Sequence, residues 1–372
     1  MCKVTVIIPN FNGLKFMPMC MEGLAAQTFQ DFSLLIVDNG SKDGSVPYLR
    51  ELAKTGLKRT KTDGIIPVKL LLLAENTGFS GAVNAGISKA QSPYLLLLNN
   101  DTKAAPGFIA ALSRVLDEDK KQHVFAVSPK MIQLYHPTRL DDAGDGYNLL
   151  GWAFQRGIGQ PVDAPQFNQN CPVFSACAGA SIYRRTHLEA LRFPKSKLTF
   201  PLLPETEGEK SAVFCCEEYF DQQHFAYLED IDLSYRARIH GFSVRYCPSA
   251  EIFHVGSGTS GSKYNAFKVR LAARNNVFLN YKNMPPLQLL LNLPGILLGV
   301  FIKLLFFEKK GFGKEYRAGF LEGIHKLGAC RRTKFRFSRL FCYIKIEVLL
   351  LADTFSYVAD FLRRKCQKPK TN

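Results

Sequence analysis

A chain of 372 residues is long for one domain, and 47% hydrophobic residues allow a large buried core. The net charge of +16 is unevenly placed. From Lys282 onward there are 18 Lys and Arg against 6 Asp and Glu, so the excess belongs to the tail and calls for an acidic partner there, anionic lipid or nucleic acid. The ten cysteines include no Cys-x-x-Cys pair, and Cys215 and Cys216 are adjacent. That usage excludes a thiolate metal site or a redox motif and suits reduced structural thiols.

In chain order, Met1-Cys2-Lys3-Val4 leads directly into a strand with no secretory segment, so a cytosolic catalytic domain is expected. Val4 to Ile8 is strand one, ended by Pro9, and Met17 to Gln27 a helix with Pro18 in its first turn. Phe32 to Val37 is strand two, closed by a polar loop from Asp38 to Ser45, and Val46 to Lys54 is a short helix. Val68 to Leu73 is strand three. The loop Asn76 to Phe79 leads to a small-residue helix, Ser80 to Lys89, and Tyr94 to Leu98 is strand four. Four strand–helix alternations with short links predict a parallel α/β sheet with right-handed crossovers. A helix runs from residue 106 to about Leu116, and Val124 to Val127 returns as a strand. The Gly- and Pro-rich middle, from Met131 to about Phe225, reads as strands and long loops, with residues 193–222 as an inserted loop of the kind that covers substrate. Ile231 to Ile239 is a helix, Phe242 to Tyr246 and Ile252 to Val255 are strands, and Tyr264 to Tyr281 is a longer helix. Pro285-Pro286 divides a catalytic part, 1–284, from a basic, apolar helical tail, 285–372.

Three strand ends carry side chains that one cleft could gather. Pro9-Asn10-Phe11-Asn12 offers a ring to stack on a base and amides for a ribose; Phe11 equally suits a core aromatic. Asp38 can accept from a base or ribose, or cap a turn. Leu95 to Leu98 stop at Asn99-Asn100-Asp101, and ligands of open α/β sheets bind beyond such carboxyl ends. Asp101 can meet a divalent cation that meets a diphosphate, although Asn and Asp also make plain turns. Neither a Gly-x-Gly-x-x-Gly fingerprint nor a Walker A sequence is present. Glu229, Asp230 and Asp232 crowd a helix start; Asp230 there is either a cap or a general base. His254 ends an apolar strand before a Gly/Ser run and, paired with Asp101, would complete a metal site.

Taken together, Val4–Asn12, Val37–Gly44, Asn76–Phe79, Leu98–Asp101 and Leu228–Leu233 resemble the family 2 inverting glycosyltransferases, most closely the rhamnosyltransferase-like branch. The five motifs and His254 cover about residues 3 to 281. The resemblance implies a GT-A type nucleotide-diphospho-sugar transferase fold, Rossmann-like and mostly parallel, followed here by a helical membrane-associating segment. It implies nucleotide-sugar contacts from Pro9, Asn10, Phe11, Asp38, Asn76, Gly78, Asn99 and Asn100, and Mg²⁺ or Mn²⁺ on Asp101 and His254. Asn99 stands where the family's Asp-x-Asp motif has its first carboxylate. Asp230 takes the place of the catalytic base. Asp142, Trp152, Gly179 and Glu229 fall on sugar- or acceptor-side stretches, which also suit ordinary turns. The implied donor is dTDP-rhamnose or a UDP- or GDP-sugar, and the implied acceptor a glycan or polyprenyl-linked glycan of cell-surface polysaccharide. Without a family, the sequence also allows a sugar-phosphate nucleotidyltransferase or a non-catalytic basic binding protein. The former usually carries a triphosphate loop that Asn10 to Leu14 lacks.

Leu287 to Phe307 is 21 residues of almost unbroken apolar character, interrupted by Asn292, Pro294-Gly295 and Lys303. That length could span a bilayer. The cations that follow among Phe, Leu and Ile favour helices lying in the plane of an anionic membrane surface, on its cytoplasmic face, and not nucleic acid.

Overall fold

The computed structural model describes residues 2–204, 212–256 and 264–366. The centre of the inserted stretch and most of the Gly/Ser run after His254 lie outside these residues. The strands that build the main sheet are β1 (Val4–Asn10), β2 (Phe32–Asn39), β3 (Val68–Leu73), β4 (Tyr94–Leu98), β5 (Thr102–Ala104), β6 (Val124–Gln133), β7 (Leu140–Asp142), β8 (Cys171–Val173), β9 (Ala180–Arg184) and β10 (Ser243–His254). Their order is β8-β10-β6-β9-β4-β1-β2-β3, with β5 on β10 and β7 on β6. The β4-β1-β2-β3 half is parallel, as expected from the four alternations, and β9 runs antiparallel to β4 and β6.

Periodicity explains the layers. In β4, Leu95 and Leu97 enter the core on one face of the sheet with Ile7 and Val37, while Leu96 and Leu98 enter the other with Val6, Ile8 and Ile36. A strand buried on both faces has no polar alternation, which is why it reads as a leucine run. The helices α1 (Met17–Ala25), α2 (Ser45–Thr55) and α3 (Gly78–Lys89) are the crossovers of this half, and α4 (Phe108–Glu118) leads on from β5 to β6. Several boundaries differ from expectation, among them that β6 runs on to Gln133, β2 runs on to Asn39 and α1 ends at Ala25, and two differences have a clear cause. β1 runs on through Pro9 to Asn10, because its pairing with β4 already ends at Ile7 and the missing proline N–H breaks no ladder there. The two short strands expected at 242–246 and 252–255 are one strand, β10, carried across Pro248 by a register shift between Cys247 and Glu251. Within the inserted stretch, Lys197–Pro201 and Val213–Glu217 pair as an antiparallel hairpin.

After α5 (Arg185–Leu191) and α6 (Glu229–Ile239), α7 (Ala266–Asn283) leads into the tail, which forms α8 (Pro286–Lys309), α9 (Gly313–His325) and α10 (Leu340–Cys366). α8 does not break at Pro294-Gly295. Gly295 and Gly299 let it lie directly on the backbone of Leu149 and Leu150, where an added Cβ would come within 2.7 and 2.2 Å of a carbonyl oxygen. Among the described residues it is the one helix long and apolar enough to cross a membrane. Its buried stripe, however, contains Gln288, Asn292, Ile296 and Gly299, while leucines such as Leu287, Leu290 and Leu291 are two-thirds exposed. The helix is polar inward and apolar outward.

Candidate active site

The carboxyl ends of β1, β2 and β4 meet through amides. Asn10 Nδ2 donates to Asp38 Oδ1 at 2.7 Å, and Asn100 Nδ2 donates to Asn10 Oδ1 at 2.7 Å. The second oxygen of Asp38 accepts the backbone N–H of Ser41 at 3.0 Å. Asp38 is fully buried, so it shapes the loop after β2 from inside. Pro9 and Phe11 are half-buried along the same edge. Next to them Asn39 accepts from Thr77 N at 2.9 Å and donates to Asn76 Oδ1 at 3.1 Å, and Gly78 N donates to Asn76 Oδ1 at 2.9 Å. Gly78 has φ +77°, and a Cβ there would sit 2.5 Å from the Phe225 carbonyl oxygen, so the loop needs glycine.

β5 pairs with the end of β10, setting His254 opposite Thr102 and next to Asp101. His254 Nε2 lies 3.4 Å from Asp101 Oδ1, and its Nδ1 lies 2.7 Å from Asp141 Oδ2. Burial opposes an imidazolium here, but the bonds to Asp101 and Asp141 outweigh it and lift the His254 pKa to about 10. One carboxylate oxygen and one imidazole nitrogen at this spacing, both largely shielded from water, form a donor pair that fits a divalent cation completed by water or phosphate oxygens.

Asp230 occupies the first turn of α6, behind a stretch with three departures from ordinary backbone: Phe225, Tyr227 and Leu228 have φ of 63°, 70° and 67°. Such strain concentrates at functional sites. Leu228, not Asp230, is the N-cap residue, and it makes no side-chain cap bond. Asp230 accepts from Ile231 N at 2.8 Å and from Ala178 N at 3.2 Å. Burial raises its carboxyl above the ordinary range, and these amide bonds pull it partly back. Glu229 beside it is buried, one of its oxygens has no partner, and burial with the Asp230 charge pushes it well up. Asp145 and Cys177 stand close by, their ligand atoms and that of Asp230 all within 4.8 Å of one another. Burial drives both Asp145 and Cys177 towards their protonated forms, so a cation would have to displace protons there. Asp142 is fully buried with both oxygens unpaired, and burial and Asp141 push it to about 7.

One segment joins these groups. Ala178 N holds Asp230, and the next residue, Gly179, accepts Asn99 N at 2.7 Å. The end of β4 and the start of α6 are therefore pinned to the same two residues. A Cβ on Gly179 would come within 3.0 Å of the Asn99 amide. The sequence profile of glycosyl transferase family 2 matches residues 5–192, half of the chain. The chain belongs to that family.

Among family members, the chain is 23% identical to the putative glycosyltransferase EpsH of Bacillus subtilis over 244 residues, 65% of this chain and 63% of EpsH. It is 30% identical to the teichoic acid poly(glycerol phosphate) polymerase of Staphylococcus epidermidis over 105 residues, 28% of this chain and 14% of the polymerase. The chain thus spans less than two thirds of either relative. Among solved structures, S. aureus TarS residues 1–349 in complex with UDP-GlcNAc superposes with a TM-score of 0.51 at 15% identity, covering 100% of this chain and 94% of TarS 1–349. GalNAc-T7 with UDP, GalNAc and Mn²⁺ gives 0.52 at 15% identity, covering 75% of this chain and 47% of GalNAc-T7. These likenesses establish the GT-A fold.

The family 2 fold gathers most of the expected residues and separates one. Trp152 is buried against the tail, with the Lys303 ammonium 5.3 Å from its ring and Tyr357 packed edge-on. The sequence placed Asn39, Asp141 and Asp145 within motif stretches but gave none of them a role of its own. Asn39 was readable only as loop polarity, and the two aspartates sit in short strands too irregular to carry a period.

Proposed function

We propose that the chain is a family 2 inverting glycosyltransferase that moves a sugar from a nucleoside-diphosphate sugar to a hydroxyl of a glycan or polyprenyl-linked glycan in cell-surface polysaccharide synthesis. The observation that carries this is the Ala178–Gly179 bridge, which fixes a raised carboxylate, Asp230, relative to the strand end that offers Asp101. Asp230 accepts the proton of the acceptor hydroxyl. The freed oxygen bonds to the anomeric carbon as the bond to the diphosphate oxygen breaks, and the nucleoside diphosphate leaves with that electron pair. A single displacement from the opposite face inverts the anomeric centre. Mg²⁺ or Mn²⁺ bound by Asp101 and His254 would offset the charge growing on the diphosphate. Pro9, Asn10, Phe11, Asn76, Gly78, Asn99 and Asn100 line the nucleotide-sugar side, with Asp38 as its buried support. Asp142, Gly179 and Glu229 stand on the sugar or acceptor side, and Trp152 contributes through the tail.

The donor is a UDP-, GDP- or dTDP-sugar, with dTDP-rhamnose favoured by the branch resemblance. A screen of such sugars with Mn²⁺ tests the reading. Release of nucleoside diphosphate is expected, whereas release of pyrophosphate would indicate a nucleotidyltransferase. Absence of turnover and of binding across the panel would sink the proposal.

Residues 1–284 form the catalytic part of this reading and 285–372 its membrane-associating part. The polar inner stripe and leucine-rich outer face of α8 support in-plane attachment to an anionic membrane surface, at the cytoplasmic face. α10 adds a parallel apolar set, including Phe341, Val348 and Phe355, all more than half exposed. α8 lies along Leu149 and Leu150 of the catalytic part, a contact that a spanning helix would have to carry into the bilayer.

A further inference from the structure

We infer that Asp141 is the positioning residue for His254, fixing which ring nitrogen faces Asp101; this rests on the metal-assisted transfer proposed above. The backbone prepares Asp141 for that role. β7 pairs with β6 through Met131 opposite Asp142 and Ile132 opposite Leu140, so Asp141 is the extra residue of a β-bulge and has no partner across the ladder. A bulge bends a strand and re-aims the side chain at the irregularity. Here it sends Asp141 and Asp142 to different surroundings: Asp142 is fully buried and unpaired beside Asp145 and Asp230, whereas Asp141 reaches the imidazole. β6 also pairs with β10, setting Gln133 opposite His254, so one three-strand unit carries both residues.

The distances assign the atoms. Asp141 Oδ2 at 2.7 Å from Nδ1 is a full hydrogen bond, and only an Nδ1–H can donate it to a carboxylate. In the neutral ring that bond leaves the Nε2 lone pair pointing at Asp101, whose Oδ1 is 3.4 Å away. A cation that takes the place of the Nε2 proton would join that nitrogen to Asp101. The carboxylate–imidazole arrangement therefore holds the ring in the orientation and tautomer that a metal on Asp101 requires. Asp141 does not replace the second carboxylate of the metal motif, where this chain has Asn99; it acts through the ring.

Binding of Mn²⁺ alone to the full-length protein, followed by the electron paramagnetic resonance signal of free Mn²⁺, tests this. Asp141→Asn and Asp141→Ala are expected to weaken binding by about 10- to 100-fold, the usual effect of removing such an outer partner. Asp141→Glu, which restores a carboxylate, should recover part of the loss. In a His254→Gln background, Asp141→Asn should change Mn²⁺ affinity no further, because the partner it orients is gone. A merely structural role would lower the melting temperature in both backgrounds and would not show this dependence. Wild-type Mn²⁺ affinity in Asp141→Asn, alongside weakened binding in His254→Gln, would overturn the assignment and leave the metal site standing. Unchanged affinity in Asp101→Asn and His254→Gln as well would overturn both. If Asp141→Asn does not fold, wild-type affinity in Asp141→Ala or a full further loss in the double variant decides against the assignment.

Discussion

Replacing Asp230 with Asn separates proton abstraction from everything else the residue does. The amide keeps the size of the side chain but cannot take a proton. It retains one oxygen where the carboxylate used two, one for Ile231 N and one for Ala178 N. One of those amides therefore loses its acceptor, a cost of about 1–3 kcal/mol. Against this, the substitution removes a charge that burial disfavours and that raises Glu229, Asp145 and Cys177. The two terms oppose each other, so the net change in stability should stay below about 3 kcal/mol. General base catalysis typically contributes 10²–10⁴ in rate, which corresponds to about 3–5 kcal/mol on the barrier. The expected result is a fall of that size in kcat, with nucleotide-sugar affinity within about threefold of the parent, since the proposed reading puts Asp230 on the acceptor side of the bridge at Ala178 and Gly179. The assay is nucleoside diphosphate release with whichever donor supports turnover, paired with direct measurement of donor binding and a urea melt. Turnover within tenfold of the parent would refute the base assignment, and Asp145, the neighbouring carboxyl, would be the next residue to test.

Lys282 is buried between Asp221 and Asp232, at 2.9 Å from the latter, and both acids are themselves fully buried. Lys282→Ala leaves two carboxylates unpaired and should cost about 3–5 kcal/mol in urea denaturation; a loss below 1 kcal/mol would mean the network relaxes. Stability should also depend on pH in two windows. Burial raises Asp142 to about 7, and Asp145 and Glu229 also stand well above their unfolded values. The folded chain thus binds more protons than the unfolded one between about pH 4 and 7, and stability falls as pH rises through that range. His224 and His187, both held down to about 4 chiefly by burial, oppose this, as does His240, but Asp230 and Asp353, the latter raised to about 6, add to the carboxyl set. Below about pH 4 the sign reverses. Asp221 and Asp232 are desolvated, yet Lys282 holds Asp221 down to about 2 and Asp232 lower still, so their contribution is lost as pH falls. Differential scanning fluorimetry should find the highest melting temperature at about pH 4, with Asp142→Asn flattening the neutral side. Finally, Leu291→Glu with Leu298→Glu, at positions 68% and 52% exposed, should abolish flotation with vesicles containing phosphatidylglycerol and leave the melting temperature nearly unchanged.

The parallel half of the sheet was legible because its signals are local. Leucine runs, short links and polar strand ends each occupy a few consecutive residues, and the elements formed where those residues lie. The family motifs likewise pointed to Asp38, Asp101, Asp230 and His254, all at element ends. What stayed hidden depends on register. Asp141 and Asp142 are indistinguishable as adjacent aspartates, and only a bulge against β6 sends one to His254 and the other to the interior. The Trp152 environment was hidden for a similar reason: nothing in Gly151-Trp152 says that a helix more than a hundred residues later covers the ring. β10 was divided in two because Pro248 and Ser249 look like a break, whereas a shift in its pairing carries the strand past them.

The tail is also where composition and structure say different things. Composition marks 285–372 as a separate basic unit, yet its polar contacts reach back into the catalytic part. Arg331, between α9 and α10, binds Glu218 and reaches Asp221 at 3.1 Å. Asp221 shares Lys282 with Asp232, and Asp232 lies two residues from Asp230 in α6. Farther along α6, Tyr235 donates to Gln288 of α8, which with Asn292 binds Glu347 of α10. Asp353 of α10 accepts the backbone N–H of Tyr147. Asp221, Lys282, Asp232, Tyr235, Gln288 and Asn292 are buried and Arg331, Glu347 and Asp353 partly so, so releasing the tail would leave several charged and amide partners unpaired, each at a cost of order 1–3 kcal/mol. A tether would leave the active site free to tumble against the membrane. In the proposed reading, a tail whose inner face is bonded to α6, and whose outer face is apolar, would instead hold Asp230 at one fixed height and tilt above the lipid. That geometry suits an acceptor hydroxyl presented on a lipid carrier, because it removes the orientational freedom that a soluble catalytic domain would have to lose at every turnover.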